Sequence, residues 1–169
     1  YHFSSKEALW RAAVETIFAQ LQQSLGDRVV ALRDVPPLAR LRATVKHFVR
    51  FSAAHPELHR IMVQEATRDT PRMRWLVDRH IRPIFEGSAA LIRRAQSDGL
   101  AQRVDAALLH YMMIGAATHI FLVAPEYERL TGRNPSERAV VEALAEAVAS
   151  ALLGPTPSTS PKRAATRRR

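Results

Sequence analysis

The sequence predicts an all-α protein, and three observations lead to this prediction. Apolar residues recur at steps of three and four along almost the whole chain of 169 residues, which is the period of an amphipathic helix. No stretch shows the sustained alternation of apolar and polar residues that is typical of a strand. Prolines and glycines stand at the ends of most periodic segments, where they start or end helices.

Capping residues and prolines predict where each helix begins and ends. The first helix starts in a capping box formed by Ser4 and Glu7 and ends at Gly26. Pro83 lies inside a periodic segment and therefore predicts a kink or a division. The long segment before the last helix, "VAPEYERLTGRNP", is predicted as a polar connection. The predicted helices are 4–25, 36–54, 56–66, 71–98 with the division at Pro83, 105–123 and 136–153.

Composition favours a single domain without disulfides. Hydrophobic residues make up 47% of the chain, which is enough for a core at this length. Cysteine is absent, which excludes a disulfide framework, a thiolate metal site and a cysteine nucleophile and fits a reducing cytoplasm. Polar residues interrupt every apolar stretch short of the roughly 20 residues of a membrane span, and no signal peptide is visible. We therefore expect a cytoplasmic protein with no membrane partner.

The formal charge of +9 is concentrated at the end of the chain. Five basic residues fall in the last eight positions, behind the segment "GPTPSTSP". A segment of this composition cannot bury enough apolar surface to fold, so residues 155–169 are predicted to be a disordered basic tail. The tail either adds non-specific affinity for DNA or acts as a solubilising terminus, and the sequence leaves both open.

The last two predicted helices carry more apolar surface than one thin bundle covers. Residues 105–123 are apolar on nearly every side, and residues 136–153 carry a stripe of small residues. We predict a homodimer in which these helices from two subunits form a four-helix interface, the alternative being that both are internal core. The predicted interface residues are Ala139, Val140, Ala143, Leu144, Ala147, Val148 and Ala151.

The opening residues "YHFSSKEALW" resemble a junction in tetracycline-repressor-type transcriptional regulators. There, the end of the recognition helix runs into the first helix of a helical domain, with the same order of aromatic, histidine, phenylalanine, cap, lysine and glutamate. The motif covers ten residues, whereas the layout of helices matches along the chain. The resemblance implies that residues 1–3 are the remnant of a recognition helix and that residues 4–154 form a ligand-binding and dimerisation domain.

The resemblance also implies functional residues. Tyr1, His2 and Lys6 match positions that contact the DNA backbone, which positions such a protein without reading sequence. The implied function is a ligand-responsive transcriptional repressor whose helix-turn-helix lies upstream and binds operator DNA. We expect no cofactor, and we expect a small, mostly apolar effector held by large, adaptable side chains. The predicted pocket residues are Phe48, Phe51, Met62, Trp75, Ile84, Met112, Met113 and His119.

The sequence carries no local signature of an enzyme. His55 and His59 in "HPELH" are four residues apart, but they do not form H-E-x-x-H, and Pro56 takes His55 out of helical geometry. A nucleophile elbow, a P-loop and a dinucleotide fingerprint are also missing. The alternative to a regulator is an all-α homodimeric protein-interaction module without DNA binding, and a helix-turn-helix encoded upstream would distinguish the two.

Overall fold

The computed structural model describes residues 5–153, apart from the side chain of Val29. Within these residues the chain forms α-helices and one π-helical turn, with no strand, which confirms the all-α prediction. The predicted remnant at residues 1–3 and the predicted tail at residues 155–169 lie outside this range. In chain order the helices are α1 (Lys6–Ala31), α2 (Pro37–Ala54), α3 (Pro56–Ala66), α4 (Pro71–Leu76), the π turn (Val77–Ile81), α5 (Arg82–Ser97), α6 (Ala106–Leu122), α7 (Ala124–Thr131) and α8 (Arg138–Leu153).

Helix α1 differs from its prediction at both ends. The N-cap is Ser5, whose hydroxyl accepts a hydrogen bond from the Ala8 amide at 3.1 Å, while Ser4 lies outside the described residues. The predicted end at Gly26 is wrong, because α1 continues to Ala31. A glycine inside a helix costs only about 1 kcal/mol relative to alanine. A helix therefore continues through a glycine unless a residue in the left-handed conformation ends it.

The predicted division near Pro83 takes the form of a π turn. The Arg82 amide donates to the Val77 carbonyl, five residues earlier, and Pro83 then occupies the first turn of α5. A proline has no amide hydrogen, so it is tolerated in a first turn but disrupts a helix interior. The π turn therefore lets the helical path continue where an uninterrupted α-helix would lose a hydrogen bond.

The connection before α8 is partly helical, contrary to its prediction. Residues 124–131 form α7, which ends at Gly132 with a φ of 69°, in the left-handed region that glycine adopts without strain. Helix α8 begins at Arg138, slightly later than predicted. Before it, the Asn134 side-chain oxygen accepts from the Ser136 amide at 2.8 Å, and the Glu137 carboxylate accepts from the Asn134 amide at 3.1 Å.

Two apolar clusters form the core. The C-terminal cluster joins α2, α6 and α8, and the N-terminal cluster joins α1, α2, α3 and α4. Phe48 on α2 packs against both clusters. The buried members of the C-terminal cluster are Val45, Val49, Leu109, Ala117, Phe121, Val141, Ala145, Val148, Ala149 and Leu152. Those of the N-terminal cluster are Val14, Phe18, Leu21, Phe51, Leu58 and Leu76.

Charged side chains also join α2 to α8. Arg42 is only 6% exposed and donates to Glu146 at 3.1 Å and to Ser150 at 2.9 Å. Glu146 also pairs with Lys46. Arg50 binds Glu142 through two hydrogen bonds of 2.7 and 2.6 Å, a bidentate geometry that fixes orientation as well as distance. The two helices are thus held by packing and by matched charges.

Truncation of a buried leucine should lower stability more than truncation of an exposed leucine. Leu109→Ala, at a position 3% exposed in the C-terminal cluster, should lower the free energy of unfolding by about 2–5 kcal/mol, since it leaves a cavity. Leu91→Ala, at a position 53% exposed on α5, should change it by less than about 0.5 kcal/mol. Urea unfolding of both variants provides the measurement, and equal losses would contradict the assignment of the core.

Candidate functional site

Five of the predicted pocket residues come together around the N-terminal cluster. Phe51 is buried in it, and the other four are half-buried and pack against it. They come from α2, α3, α4 and α5, so residues far apart in the sequence meet at one place. The five residues are Phe48, Phe51, Met62, Trp75 and Ile84.

The other three predicted pocket residues lie elsewhere. Met113 packs against the C-terminal cluster. Met112 is 56% exposed, and His119 is also exposed, both on the outer face of α6. Because α6 is apolar on nearly every side, its sequence does not indicate which face points inward. The structure thus does not bring these three residues to the N-terminal cluster.

His119 borders a groove between α6 and α7. The groove is open to solvent and has a volume of about 600 Å³. Its open shape differs from the enclosed, largely buried site that small ligands prefer. The lining residues are Gly115, Ala116, His119, Ile120, Val123, Glu126, Tyr127, Leu130 and Thr131.

Two tryptophans connect α1 to α4 at the edge of the N-terminal cluster. The rings of Trp10 and Trp75 are 5.7 Å apart and tilted by 55°. The Arg11 guanidinium lies 5.0 Å from the centre of the Trp75 ring, and that of Arg72 lies 4.7 Å from the centre of the Trp10 ring. Each helix thus places a cation over the other helix's aromatic ring, an arrangement that stabilises the contact between them.

Glu7 binds both of these arginines. Its carboxylate accepts from Arg11 at 3.0 Å and from Arg72 at 2.7 Å. Hydrogen bonds from Arg11 and then Arg72 hold the pKa of the Glu7 carboxyl below its usual range. Arg72 also lies 3.6 Å from Glu65 of α3. We name this group, consisting of Glu7, Trp10, Arg11, Arg72 and Trp75, the α1–α4 clamp.

Sequence patterns alone do not reveal the clamp. The spacing of Glu7 and Arg11 is a signal for an ion pair within one helix. Nothing local to either helix indicates that Arg72, 65 residues further on, shares that carboxylate. Only the packing of α1 against α4 brings them together.

A buried histidine and serine lie between α2 and α3. The Ser52 hydroxyl donates to the Phe48 carbonyl at 2.9 Å, so its oxygen is left to accept from the His59 Nε2–H at 3.0 Å. His59 is 7% exposed, and burial lowers the pKa of its imidazole to about 4 from an ordinary value of 6.5. At neutral pH His59 is therefore an uncharged, satisfied core histidine.

His80 has a different environment, in the π turn. It is 7% exposed, stacks on Phe18 at 4.6 Å and meets the edge of Trp75 at 5.1 Å. Burial, followed by the charge of Arg79, lowers the pKa of the His80 imidazole. Its Nε2 atom is buried and has no hydrogen-bond partner within the part of the chain that the structure describes.

The predicted interface residues divide into an exposed and a buried set. Ala139, Ala143, Ala147 and Ala151 form an exposed stripe on α8, with a four-residue period. Leu144 is half-buried and packs against the C-terminal cluster. Val140 and Val148 are buried within the protomer, so their side chains are not on the surface.

The outer face of α6 forms an exposed apolar surface. Leu108, Tyr111 and Met112 are more than half exposed, and Gly115 and Ala116 continue the same face at helical spacing. Exposed apolar patches of this kind mark interaction sites. The sequence does not identify these surface residues, because they depend on which face of α6 the core covers.

Among the predicted DNA-contact residues, only Lys6 is described. It is exposed and is the first residue of α1. Tyr1 and His2 lie outside the described residues.

The fold is a helical domain. Aromatic residues cluster between its first helices, and α6 and α8 have exposed apolar or small-residue faces. A family model described as "Tetracyclin repressor-like, C-terminal domain" matches residues 37–152, more than half of the chain. The chain therefore belongs to the tetracyclin repressor-like family, and the match covers α2 to α8 almost completely. A comparison with characterised proteins finds none that matches the chain.

Within residues 5–153, no single helix combines the length and the hydropathy that crossing a membrane requires. The bent pair of α6 and α7, with an angle of 70° between them, meets the criteria of length and composition only when both helices are taken together.

The burial of His59 predicts how stability depends on pH. Below about pH 6.5 His59 is protonated in the unfolded chain, whereas in the folded chain it stays neutral down to about pH 4. The free energy of unfolding therefore falls as the pH falls through this window. Protonation of His59 lowers the free energy of unfolding by about 3 kcal/mol in all, because each unit of pKa difference corresponds to 1.36 kcal/mol. Replacing His59 with glutamine should make the pH profile of the unfolding free energy flatter in this window.

The exposed His119→Gln variant is the control and should keep the parent profile. Urea unfolding at a series of pH values gives all three curves. A His59→Gln profile as steep as that of the parent would show that His59 is not the group responsible.

Proposed function

We propose that this chain is the effector-binding and dimerisation part of a ligand-responsive transcriptional repressor. The observation that carries the proposal is the family match over residues 37–152. In this proposal a helix-turn-helix upstream of Tyr1 binds operator DNA, and the helical domain binds a small, mostly apolar molecule. The chain itself performs no chemical reaction, and its output is a change in DNA affinity.

The N-terminal cluster is the proposed effector site. It collects five of the eight pocket residues predicted from the sequence and includes large, adaptable side chains such as Met62 and Trp75. It also includes Val14, Phe18 and Leu21 of α1, the described helix that lies nearest to the proposed DNA-binding part. A molecule bound there touches the helix through which a signal to the DNA would pass.

A small rotation of α1 is the proposed signal. The clamp holds α1 against α4 through the Trp10–Trp75 contact and the Glu7–Arg72 ion pair. An effector shifts the equilibrium between two positions of α1 only by its difference in affinity for them, and a 100-fold preference supplies about 2.7 kcal/mol. In a symmetric dimer, both DNA-reading parts would then change their separation, which must match the spacing of the half-sites.

The proposed dimer forms through α6 and α8. The alanine stripe of α8 allows close approach of a second helix, and the exposed face of α6 supplies Leu108, Tyr111 and Met112. The carboxylates of α8 favour this arrangement, because Glu142 and Glu146 bind Arg50, Arg42 and Lys46 of α2 in the same protomer. The interface would therefore carry little unbalanced charge.

The proposed function is tested with the protein that includes the residues encoded upstream of Tyr1. It should bind a DNA segment from its own promoter region, and a compound from an apolar library should release it, as followed by fluorescence anisotropy. A dimer that binds no promoter DNA, with no helix-turn-helix encoded upstream, would instead support a protein-interaction module.

A charge placed on the alanine stripe should weaken the dimer. Ala143→Arg would bury an unpaired guanidinium between two α8 helices, which costs more than 1.4 kcal/mol and so raises the dimer dissociation constant by at least about tenfold. Ala90→Arg makes the same change at an exposed position of α5 and should leave the constant unchanged. Sedimentation velocity over a concentration series measures both, and a monomeric parent protein would overturn the proposed dimer.

Lys6 should contribute to DNA affinity without contributing to sequence choice. In the protein with its upstream residues, Lys6→Gln should weaken binding to all sequences alike and should reduce the slope of log affinity against log salt by about 1 for each subunit, because one phosphate contact is lost. Arg93→Gln, at an exposed position of α5, is the control. An unchanged salt slope for Lys6→Gln would remove Lys6 from the interface.

A further inference from the structure

We propose that the buried imidazole of His80 is the hydrogen-bonding anchor of the effector site, and that the effector is a planar, uncharged, mostly apolar molecule bearing a hydroxyl or comparable group. The inference rests on the proposed function and adds the chemistry of the ligand to it. The surroundings of His80 support it in three independent respects.

The first observation is a buried nitrogen atom without a hydrogen bond. His80 is 7% exposed, and within residues 5–153 its Nε2 atom has no partner. Other buried histidines of the protein are paired: His59 with the Ser52 hydroxyl at 3.0 Å, and His110 with that of Ser88 at 2.9 Å. A buried polar atom without a partner is costly, so its presence in a folded protein calls for an explanation. A ligand that supplies the missing bond is such an explanation.

The second is backbone geometry. His80 lies in the π turn, where the Arg82 amide reaches back to the Val77 carbonyl. The π turn changes the register of the helix, so the direction of His80 differs from that of an uninterrupted α-helix. Single π turns of this kind occur frequently at functional sites.

The third is the shape of the surroundings. The Phe18 ring lies parallel to the imidazole within 14°, and Trp75 meets it at 76°. Trp10 follows at 5.7 Å from Trp75, tilted by 55° rather than stacked on it. Aromatic rings on several sides favour a flat ligand, which can stack on one ring and contact the edge of another.

The balance of charge selects a neutral ligand. Arg11 and Arg72 lie at the edge of the site, but Glu7 binds both, and Glu65 lies beside Arg72. Burial lowers the pKa of the His80 imidazole, so at neutral pH the ring is uncharged. Beside the imidazole itself, the charges of Arg79 and Glu15 act on its pKa in opposite directions. The described charges around the site are therefore matched in sign, and a neutral hydroxyl group can donate to or accept from either tautomer of the imidazole.

A molecule in this position connects ligand chemistry to regulation. Phe18 and Trp10 belong to α1, whereas Trp75 and His80 belong to α4 and the π turn. A flat molecule that binds Nε2 between these side chains would separate them and so move α1 relative to α4. The same contacts that recognise the effector would thus change the position of α1.

The test uses p-cresol and toluene, which have nearly the same shape but differ in one hydroxyl group. The chain contains two tryptophans, and both lie at the site, so intrinsic tryptophan fluorescence reports on it directly. The protein should bind p-cresol roughly twofold to tenfold more tightly than toluene, which is the range of ratios that one hydrogen bond supplies.

Three variants test the role of Nε2. His80→Phe should bind the two compounds about equally, and its melting temperature should rise, because the unpaired nitrogen is gone. His80→Gln, which keeps a side-chain donor and acceptor, should restore part of the preference. His110→Phe removes a buried histidine that already has a partner, and it should keep the parent preference for p-cresol.

Three results would overturn the inference. If the parent binds both compounds equally, or if His80→Phe keeps the preference, Nε2 is not the anchor, although an apolar effector site at the N-terminal cluster would stand. If neither compound changes the tryptophan fluorescence, the site does not take such molecules, while promoter release by other compounds remains a separate measurement. In the unmodified protein, the nitrogen NMR signal of His80 should shift with p-cresol and not with toluene, which avoids any dependence on the folding of a variant.

Discussion

The packing of α2 between two apolar clusters is the constraint on which the positions of the other helices depend. Val45 and Val49 belong to the C-terminal cluster, Phe51 belongs to the N-terminal cluster, and Phe48 contacts both. Because cores are packed at crystal-like density, α2 cannot move without disturbing both clusters. The buried Ser52–His59 hydrogen bond adds a directional contact to α3. Helix α2 is thus a fixed reference for α1 and α3 on one side and for α6 and α8 on the other.

The sequence predicted the elements well where a proline marks the start of a helix. Both ends of α3 and the start of α4 follow from Pro56, Pro71 and the polar segment between them. It failed at Gly26 and at α7, where the outcome depends on small differences in helix propensity rather than on a strong stop signal. Such differences are decided by tertiary contacts, which no local pattern contains.

The candidate site was predictable to the extent that its residues lie on helices with one apolar face. Phe48, Phe51, Trp75 and Ile84 follow from that pattern, whereas Met112 and His119 on the uniformly apolar α6 do not. His80 could not be found at all, because a π turn shifts the register of every later residue and leaves no signature in hydrophobic periodicity. The partners of Glu7 likewise depend on a contact between distant parts of the chain.

The two halves of the molecule are held by different kinds of contact, and this difference bears on the proposed movement of α1. Helix α8 is joined to α2 by a dense apolar cluster and by the buried Arg42, so a proposed dimer built on α8 and α6 has a rigid base. The start of α1 is joined to α4 by the clamp, where ion pairs are partly exposed and screened by solvent. Aromatic contacts therefore supply most of the attraction there, and these are the contacts that a flat molecule can replace with its own. An effector at the N-terminal cluster would thus exchange one set of ring contacts for another at little cost, and would move α1 against a base that stays in place.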